Sequence, residues 1–167
     1  MKKAFSFFIV LICGLLFIGC DVSNSTYLRV HIRANSNSEA DQNVKYLVKD
    51  VVVEYLTPKL IDCDSKSSVV DVINANMENV RNLINLTLQN EGFDYGCSIE
   101  INEEFFPTRT YGDLTLEADY YDAFIVKLGS GEGDNWWCVM YPNLCFNEIE
   151  NVVYKSKIKE IIDRGKM

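Results

Sequence analysis

The sequence predicts an α+β fold: an antiparallel β-sheet with two long helices packed on one face. Three observations support this class. A short stretch near the start alternates apolar and polar residues, two longer segments repeat apolar residues at helical spacing, and several stretches after Gly92 return to a period of two. This order separates the helices from most of the strands, which is typical of α+β proteins.

The composition limits the classes of function. Of the 167 residues, 48% are hydrophobic and 12% are aromatic, so the chain has enough apolar side chains for a substantial core. The formal charge of −8 disfavours nucleic acid and anionic membrane surfaces as direct partners, because both would repel the protein.

The start of the chain predicts an export leader. Two lysines precede an apolar run from Ala4 to Ile18. This run is shorter than the roughly 20 residues that span a bilayer, and it matches the apolar region of a secretory signal. The predicted organisation is a signal peptide over residues 1–20, a tether over 21–26 and a single α+β domain over 27–167.

The end of the leader predicts a lipid anchor. Gly19-Cys20 resembles the end of a bacterial lipoprotein leader, in which a small residue precedes the acylated cysteine, although Phe17 stands where leucine is usual. We therefore expect lipidation of Cys20. Cleavage at an ordinary site, for example after Ser25, and an uncleaved anchor are the alternatives, and all three export the domain.

A strand and a first helix open the domain. Apolar residues alternate in "YLRVHI" from Leu28 to Ile32, which predicts a half-buried strand. Ser36-Asn37-Ser38-Glu39 has the spacing of a capping box and predicts a helix start. Apolar residues recur at helical spacing from Val44 to Leu56, and Thr57-Pro58 predict the end of this helix.

A second helix and two extended stretches follow. An apolar stripe from Ile73 to Leu88 predicts the helix, and Asn90-Glu91-Gly92 predict its end. Alternation from Cys97 to Ile101 predicts a strand. In "FFPTRTYG", Pro107 predicts a sheet edge or a loop, because proline cannot donate a hydrogen bond to a neighbouring strand.

The remaining segments predict two strands and a short helix. "YYDAFIVKL" is apolar on both faces, which predicts a central strand. Glycines at positions 129, 131 and 133 predict a turn, and "NWWCVMY" predicts the returning strand. A closing helix is predicted between Ile149 and Ile162.

The residue types give no support for catalysis or for a metal centre. A thiolate nucleophile needs a base, and the single histidine, His31, is predicted to point away from the apolar face of its strand. The cysteines after the leader lack the close spacing of zinc ligands. Acidic residues are abundant but are most simply explained as solvated faces. We therefore expect no enzyme activity, no catalytic residue, no metal and no cofactor.

Two cysteines near the end of the domain predict a disulfide. If the chain reverses at Tyr141-Pro142, Cys138 faces Cys145 across an antiparallel pair, at the Cα separation of about 5 Å that a disulfide tolerates. Export would allow these thiols to oxidise. Cys63 with Cys97 is a second candidate pair with weaker support.

Trp136 and Trp137 are adjacent in a predicted strand, so they point to opposite faces. One tryptophan is expected to fill the core. The other is expected to face outward or to lie under a loop, where it would suit contact with a protein partner. Core packing of both is the alternative.

Three motifs follow one another along the chain. The first is Leu28-Arg29-Val30-His31-Ile32-Arg33-Ala34-Asn35-Ser36-Asn37-Ser38 with Asp41, Gln42 and Lys45, the second is Phe106-Pro107-Thr108-Arg109-Thr110-Tyr111-Gly112, and the third runs from Gly129 to Cys145. Together they resemble the stage II sporulation protein R family of endospore-forming bacteria. The chain departs from that family's pattern at Leu116 to Tyr120, and it has Glu132 and Asp134 in the glycine turn, where a basic residue is common.

The resemblance implies an exported signal rather than an enzyme. Members of that family look like forespore proteins that act in the space between the two membranes. There they trigger a membrane-embedded aspartic protease of the mother cell, which removes the pro-segment of an early mother-cell sigma factor. We therefore expect this protein in the intermembrane space, anchored through Cys20 to the outer face of the forespore membrane, with no nucleic acid and no small-molecule substrate.

The motifs also indicate a contact surface for the protease. The residues expected to form it are Asn35, Ser36, Asp41, Thr108, Arg109, Tyr111, Gly112, Asn135, Trp136 and Trp137. The alternatives are that Asn35 and Ser36 cap a helix and that Tyr111-Gly112 form a turn. An envelope protein that binds or hydrolyses glycan is the alternative function, since exposed tryptophan and carboxylates suit sugars, and a structural envelope lipoprotein is a third.

Overall fold

A computed structural model describes residues 26–145 of the chain. The leader, Cys20, the tether before Thr26 and the predicted closing helix between Ile149 and Ile162 lie outside these residues. In chain order, the described elements are β1 (Leu28–Arg33), α1 (Glu39–Leu60), α2 (Lys66–Asn90), β2 (Cys97–Phe106), β3 (Arg109–Tyr111), β4 (Leu114–Leu116), β5 (Asp119–Leu128) and β6 (Asn135–Tyr141).

Four strands form the main sheet in the order β2-β5-β1-β6. β2 pairs antiparallel with β5 and β6 pairs antiparallel with β1, whereas β1 and β5 run parallel. The predicted α+β class is confirmed, with one parallel pairing inside the expected antiparallel sheet. That pairing arises because an even number of chain reversals, through both helices and β2, separates β1 from β5. The prediction that β5 is a central strand is also correct.

Both helices begin at a capping serine, but the predicted capping box from Ser36 to Glu39 is wrong, because Ser38 caps α1 and Glu39 is its first residue. The Ser38 side chain accepts a hydrogen bond from the backbone N–H of Asp41 and begins α1, and Ser65 begins α2 through a capping box with Ser68. α2 ends as predicted, with Gly92 at a φ of 84° just after the cap.

The predicted end of α1 at Thr57-Pro58 is wrong, because the helix continues to Leu60 with Pro58 inside it. A proline so close to the end removes only one backbone donor. Burial of Leu60, which has no exposed surface, holds the last turn against the core. As far as residues 26–145 are concerned, neither helix is long and apolar enough to cross a bilayer.

The sheet has an apolar layer on each side. On the helix face, Leu28, Val30 and Ile32 of β1 pack with Phe124, Val126 and Leu128 of β5 against the buried sides of α1 and α2. The opposite face of the sheet is called the hairpin face below. Phe106, Tyr121 and Ile125 belong to a smaller apolar cluster there, and the two-stranded ribbon of β3 and β4 covers this cluster. This ribbon is formed by the stretch that Pro107 marked as an edge or loop. It does not join the main sheet.

Candidate functional site

The loop before α1 and the glycine turn before β6 form one hydrogen-bonded unit, called the capping network below (residues 34–45 and 129–134). The Asn35 side chain donates to the Asp41 carboxylate at 3.1 Å and accepts from the Ser130 backbone N–H at 2.9 Å. Asn37 accepts from the backbone N–H of Asp134 at 2.6 Å. These bonds tie two loops that are about 95 residues apart in the sequence.

Two glycines permit this close approach of the loops. Gly129 has a φ of 55°, and a Cβ at this position would lie 2.3 Å from the Asn35 side-chain oxygen. A Cβ at Gly133 would lie 2.3 Å from the Ser36 carbonyl oxygen. The glycines of the turn are therefore needed for packing against the first motif, which is a structural reason for their presence.

Asp41 is the centre of the capping network. It is buried, and it accepts hydrogen bonds from the hydroxyls of Ser36 and Tyr95 as well as from Asn35. Burial alone would raise the pKa of Asp41, but these hydrogen bonds outweigh it and lower the pKa below its usual value. Burial and the Asp41 carboxylate raise the pKa of Tyr95. The network therefore holds a carboxylate and a neutral phenol.

Lys45 closes the network from α1. Its ammonium group donates to the carbonyl oxygen of Asp134 at 3.1 Å and to the side chain of Gln42 at 2.6 Å. Burial lowers the pKa of Lys45, while the charge of Asp134 partly opposes this shift. Asn35, Ser36 and Asp41 thus use their polar groups inside the protein, although the residue that caps α1 is Ser38 and neither Asn35 nor Ser36.

The hairpin face holds a fully buried arginine. Arg29 has no exposed surface, and its guanidinium lies 4.1 Å from the ring centroid of Phe106 and 4.9 Å from that of Tyr121. Arg29 donates to the Tyr111 hydroxyl at 2.8 Å. Its Nε and Nη1 atoms have no hydrogen-bond partner among the described residues. Tyr111, predicted as a contact residue, therefore joins the β3–β4 ribbon to the sheet.

His31 lies beside Arg29 on the same face. Its Nδ1 atom is 2.6 Å from the Glu104 carboxylate, which also contacts the guanidinium of Arg33. Burial lowers the pKa of His31 to about 4; the Asn135 side chain opposes this shift, and the positive charges of Arg33, Arg29 and Lys127 add to it. The imidazole is therefore neutral at pH 7 and donates its Nδ1 proton to Glu104.

The two tryptophans lie on opposite faces, as their adjacency predicts. Trp136 packs against the core on the helix face, and Trp137 packs against the cluster on the hairpin face. Trp137 contacts the ribbon, since the guanidinium of Arg109 is 4.2 Å from its ring centroid, and its ring centroid is 5.5 Å from that of His31. Both tryptophans are partly buried rather than fully exposed.

The predicted contact residues fall into separate groups. Asn35, Ser36 and Asp41 belong to the capping network, whereas Arg109, Tyr111 and Trp137 meet on the hairpin face, and Trp136 lies on the helix face. Thr108 holds the base of the ribbon, where its hydroxyl accepts from the backbone N–H of Ala118 at 3.0 Å. Gly112 has a φ of 57° in the ribbon's turn, and Asn135 pairs in register with Arg33.

Sequence reasoning missed several residues that organise these groups. Arg29, Arg33 and Glu104 form the charged part of the hairpin face, and Tyr95 completes the capping network. The alternation of β1 could have predicted that Arg29 and Arg33 lie on the same face as His31. Nothing in the spacing pointed to Glu104, which contacts His31 and Arg33 from another strand of the sheet.

The cysteines have two different states. Cys138 and Cys145 are joined by a disulfide with their Cα atoms 6.4 Å apart, after a cis peptide bond between Tyr141 and Pro142. Cys145 also donates its backbone N–H to the carbonyl oxygen of Val139 at 3.4 Å. Cys63 and Cys97 are free thiols, so the candidate pairing between them is wrong.

A pocket of about 290 Å³ lies beside the end of α2. It is lined by Asn85, Gln89, Phe93, Asp94, Tyr95 and Gly96. Asp94 is its single carboxylate, whereas glycoside hydrolysis uses a pair, so this pocket gives the glycan-hydrolase alternative no support. Within residues 26–145, no group of three or more His, Cys, Asp or Glu side chains is placed to hold a metal ion.

The protein is thus a small α+β protein in which hydrogen bonds join the loops of the capping network and charged residues lie on the hairpin face. The chain belongs to the stage II sporulation protein R family, whose model matches residues 24–151. It is 34% identical over 124 residues to stage II sporulation protein R of Bacillus subtilis (strain 168), a match that covers 74% of this chain and 55% of that protein. The chain thus spans about half the length of this curated relative. No solved structure matches it.

Family membership confirms the resemblance seen in the three motifs and assigns the protein a role in sporulation. The family is named for a stage of sporulation and not for an enzymatic reaction.

Proposed function

We propose that this protein is an exported sporulation signal that activates a membrane-embedded aspartic protease of the mother cell. The activated protease would then process an early mother-cell pro-sigma factor. Membership of the stage II sporulation protein R family is the observation that carries this proposal. We expect the protein itself to supply binding energy and no bond-breaking chemistry.

The capping network supports a role in binding. Its loops are joined because Asn35 and Asn37 accept hydrogen bonds from the backbone of the glycine turn and Lys45 donates one to it. Loops that are already ordered lose little conformational entropy when they meet a receptor, so more of the contact energy remains for binding. A ligand of this kind shifts the protease toward its active state only by binding that state more tightly than the inactive one.

We place the protein between the forespore and mother-cell membranes, with lipid on Cys20 as its anchor. The tether of 21–26 would reach about 20 Å at roughly 3.3–3.6 Å per residue, so activation would require the two membranes to lie close together. A Cys20→Ser variant tests the anchor: it should leave the membrane fraction, and full retention of this variant would remove lipidation from the proposal.

Coexpression in a bacterium that does not sporulate tests the activation itself. The full chain, the protease and its pro-sigma substrate are expressed together, and the ratio of processed to unprocessed sigma factor is read by immunoblot. We expect processing that requires this protein and disappears when the catalytic aspartate of the protease is replaced. Single substitutions of His31 and of the acidic residues outside the capping network, made in stable variants, should leave processing intact.

Two results would contradict the proposal. One is unprocessed substrate in the presence of all three proteins at normal levels. The other is hydrolysis of peptidoglycan by the purified protein that a single Glu or Asp substitution abolishes.

A further inference from the structure

Positive charge is concentrated on part of the hairpin face of an acidic protein. The part in question, called the cationic face below, consists of Arg33, Glu104, Arg109, Lys127, Asn135 and Trp137. Arg33 and Lys127 are register partners on β1 and β5, so their side chains leave the sheet side by side. Each contacts a carboxylate, Arg33 that of Glu104 and Lys127 that of Glu100 at 3.1 Å.

Two further cations add to this charge. Arg109 lies over Trp137, and Arg29 is buried nearby against Phe106 and the ribbon. The charges of Arg29, Arg33 and Lys127 reach His31 strongly enough to lower its pKa. The carboxylates beside these four cations are Glu104, Glu100 and Glu117, the last of which accepts from the Thr108 hydroxyl at 3.3 Å. Cations therefore outnumber carboxylates here, on a chain whose formal charge is −8.

The same area contains polar atoms without partners. His31 pairs in register with Trp137, and Arg33 pairs with Asn135. In this block of neighbours, Nε of Arg33 and Nε1 of Trp137 are buried without a hydrogen-bond partner among the described residues. The side chain of Asn135 lies beside the His31 ring, and its hydrogen bonding acts to raise the pKa of His31. His31 is itself almost fully buried, with 3% of its surface exposed.

We propose that the cationic face binds an acidic segment of a protein partner, and that its carboxylates are received by Arg109, Lys127 and Arg33. The inference rests on the proposed function, in which that partner is the protease and the segment is one of its extracytoplasmic loops. Arginine binds carboxylates through two parallel hydrogen bonds, and tryptophan and arginine are both enriched among the residues that contribute most binding energy at protein interfaces.

A protein segment fits this face better than an anionic membrane does. A lipid surface would meet the negative charge of the whole domain, which repels it at the distances over which charges act through water. The groups that a partner can reach directly are the guanidinium of Arg109 and the ammonium of Lys127, which have solvent exposure. A peptide carboxylate can pair with each of them.

Charge reversal tests the proposal in the coexpression system, with the full chain. In the R109E/K127E variant, both changes fall on side chains with solvent exposure, and they reverse two of the charges on the face. We expect processing of the sigma factor to fall at least tenfold and co-purification with the protease to be lost. R81E is the matched control, since it reverses an arginine of α2 that is paired with Glu78, far from this face in the fold. It should process normally.

The outcomes separate the two proposals. Absence of processing with the wild-type chain overturns the proposed function and this inference with it. Wild-type processing by R109E/K127E overturns the inference alone, as does an equal loss in R81E. If R109E/K127E does not accumulate, R109Q/K127Q decides, and it should lower processing several-fold.

A compensating exchange identifies the partner. Lysine substitutions of acidic residues in the extracytoplasmic loops of the protease should restore processing by R109E/K127E. Loss of membrane association by R109E/K127E in cells that lack the protease would instead indicate an anionic lipid surface and overturn the proposal.

Discussion

His31 shows how its neighbours set the charge of a single residue. A histidine 2.6 Å from a carboxylate is often protonated, yet burial and three nearby cations lower the pKa of His31 to about 4. The neutral ring donates to Glu104 and packs between Phe106 and Trp137. As the chain's one histidine, it was the natural candidate for catalysis, but its contacts are those of a buried structural residue.

The lowered pKa of His31 predicts a loss of stability in mild acid. The unfolded chain binds a proton near the ordinary pKa of 6.5 and the folded chain only near 4, so protonation favours unfolding as pH falls between these values. Between pH 7.5 and pH 5.0 this difference should lower the free energy of unfolding by about 2 kcal/mol. Urea unfolding of the wild type and of His31→Gln at both pH values measures it. An equal decrease in both proteins would contradict the assignment to His31.

Gly129 offers a second test at the scale of one residue. Replacement by alanine places a methyl group at a φ of 55° and 2.3 Å from the Asn35 side chain. Gly112→Ala is the matched control, since Gly112 has a φ of 57° but open space around its Cβ position. The control should lose about 1 kcal/mol of stability and Gly129→Ala about 3 kcal/mol. Equal losses in chemical denaturation would show that the loop contact contributes nothing.

At the scale of elements, the correct predictions concern features that depend on residues close together in the sequence. Helix α2 follows its capping serine, its apolar stripe and its terminal glycine, and β5 is central because it is apolar on both faces. The failures concern long-range packing. Pro58 lies inside α1 because Leu60 is buried beyond it, and the parallel pairing of β1 with β5 depends on the path of the whole chain. Neither is encoded in a window of neighbouring residues.

Docking of the β3–β4 ribbon is expected to depend on Tyr111. Its hydroxyl accepts a hydrogen bond from the buried guanidinium of Arg29, and Tyr111→Phe would leave that charged donor unsatisfied. We expect the free energy of unfolding to fall by about 1–3 kcal/mol. We also expect faster trypsin cleavage after Arg109, since the ribbon would be held less firmly. Tyr120→Phe, at an exposed tyrosine, is the control and should behave like the wild type; no change in Tyr111→Phe would contradict this account of the ribbon.

At the scale of the whole molecule, the sheet divides the third motif, Gly129 to Cys145, between its two faces. Neighbours along a strand point to opposite faces, so Trp136 and Trp137 could not belong to one surface, although both were predicted as contact residues. The sequence allowed this separation to be foreseen. It did not reveal that the β3–β4 ribbon contacts Trp137, or that charges from three strands gather around it, because those contacts join residues far apart in the chain.

This division leads to a prediction for the two tryptophans. Each substitution by phenylalanine keeps an aromatic ring in a partly buried site, so Trp136→Phe and Trp137→Phe should both lower stability by about 1 kcal/mol. Only Trp137→Phe removes an indole N–H from the cationic face, and only this variant should lower sigma-factor processing in the coexpression assay, by several-fold. Because the two variants are expected to be equally stable, a difference in processing between them would come from the lost contact on the cationic face and not from unfolding. Equal processing by both variants, or a larger loss of processing in Trp136→Phe, would show that the contact surface is not on the hairpin face.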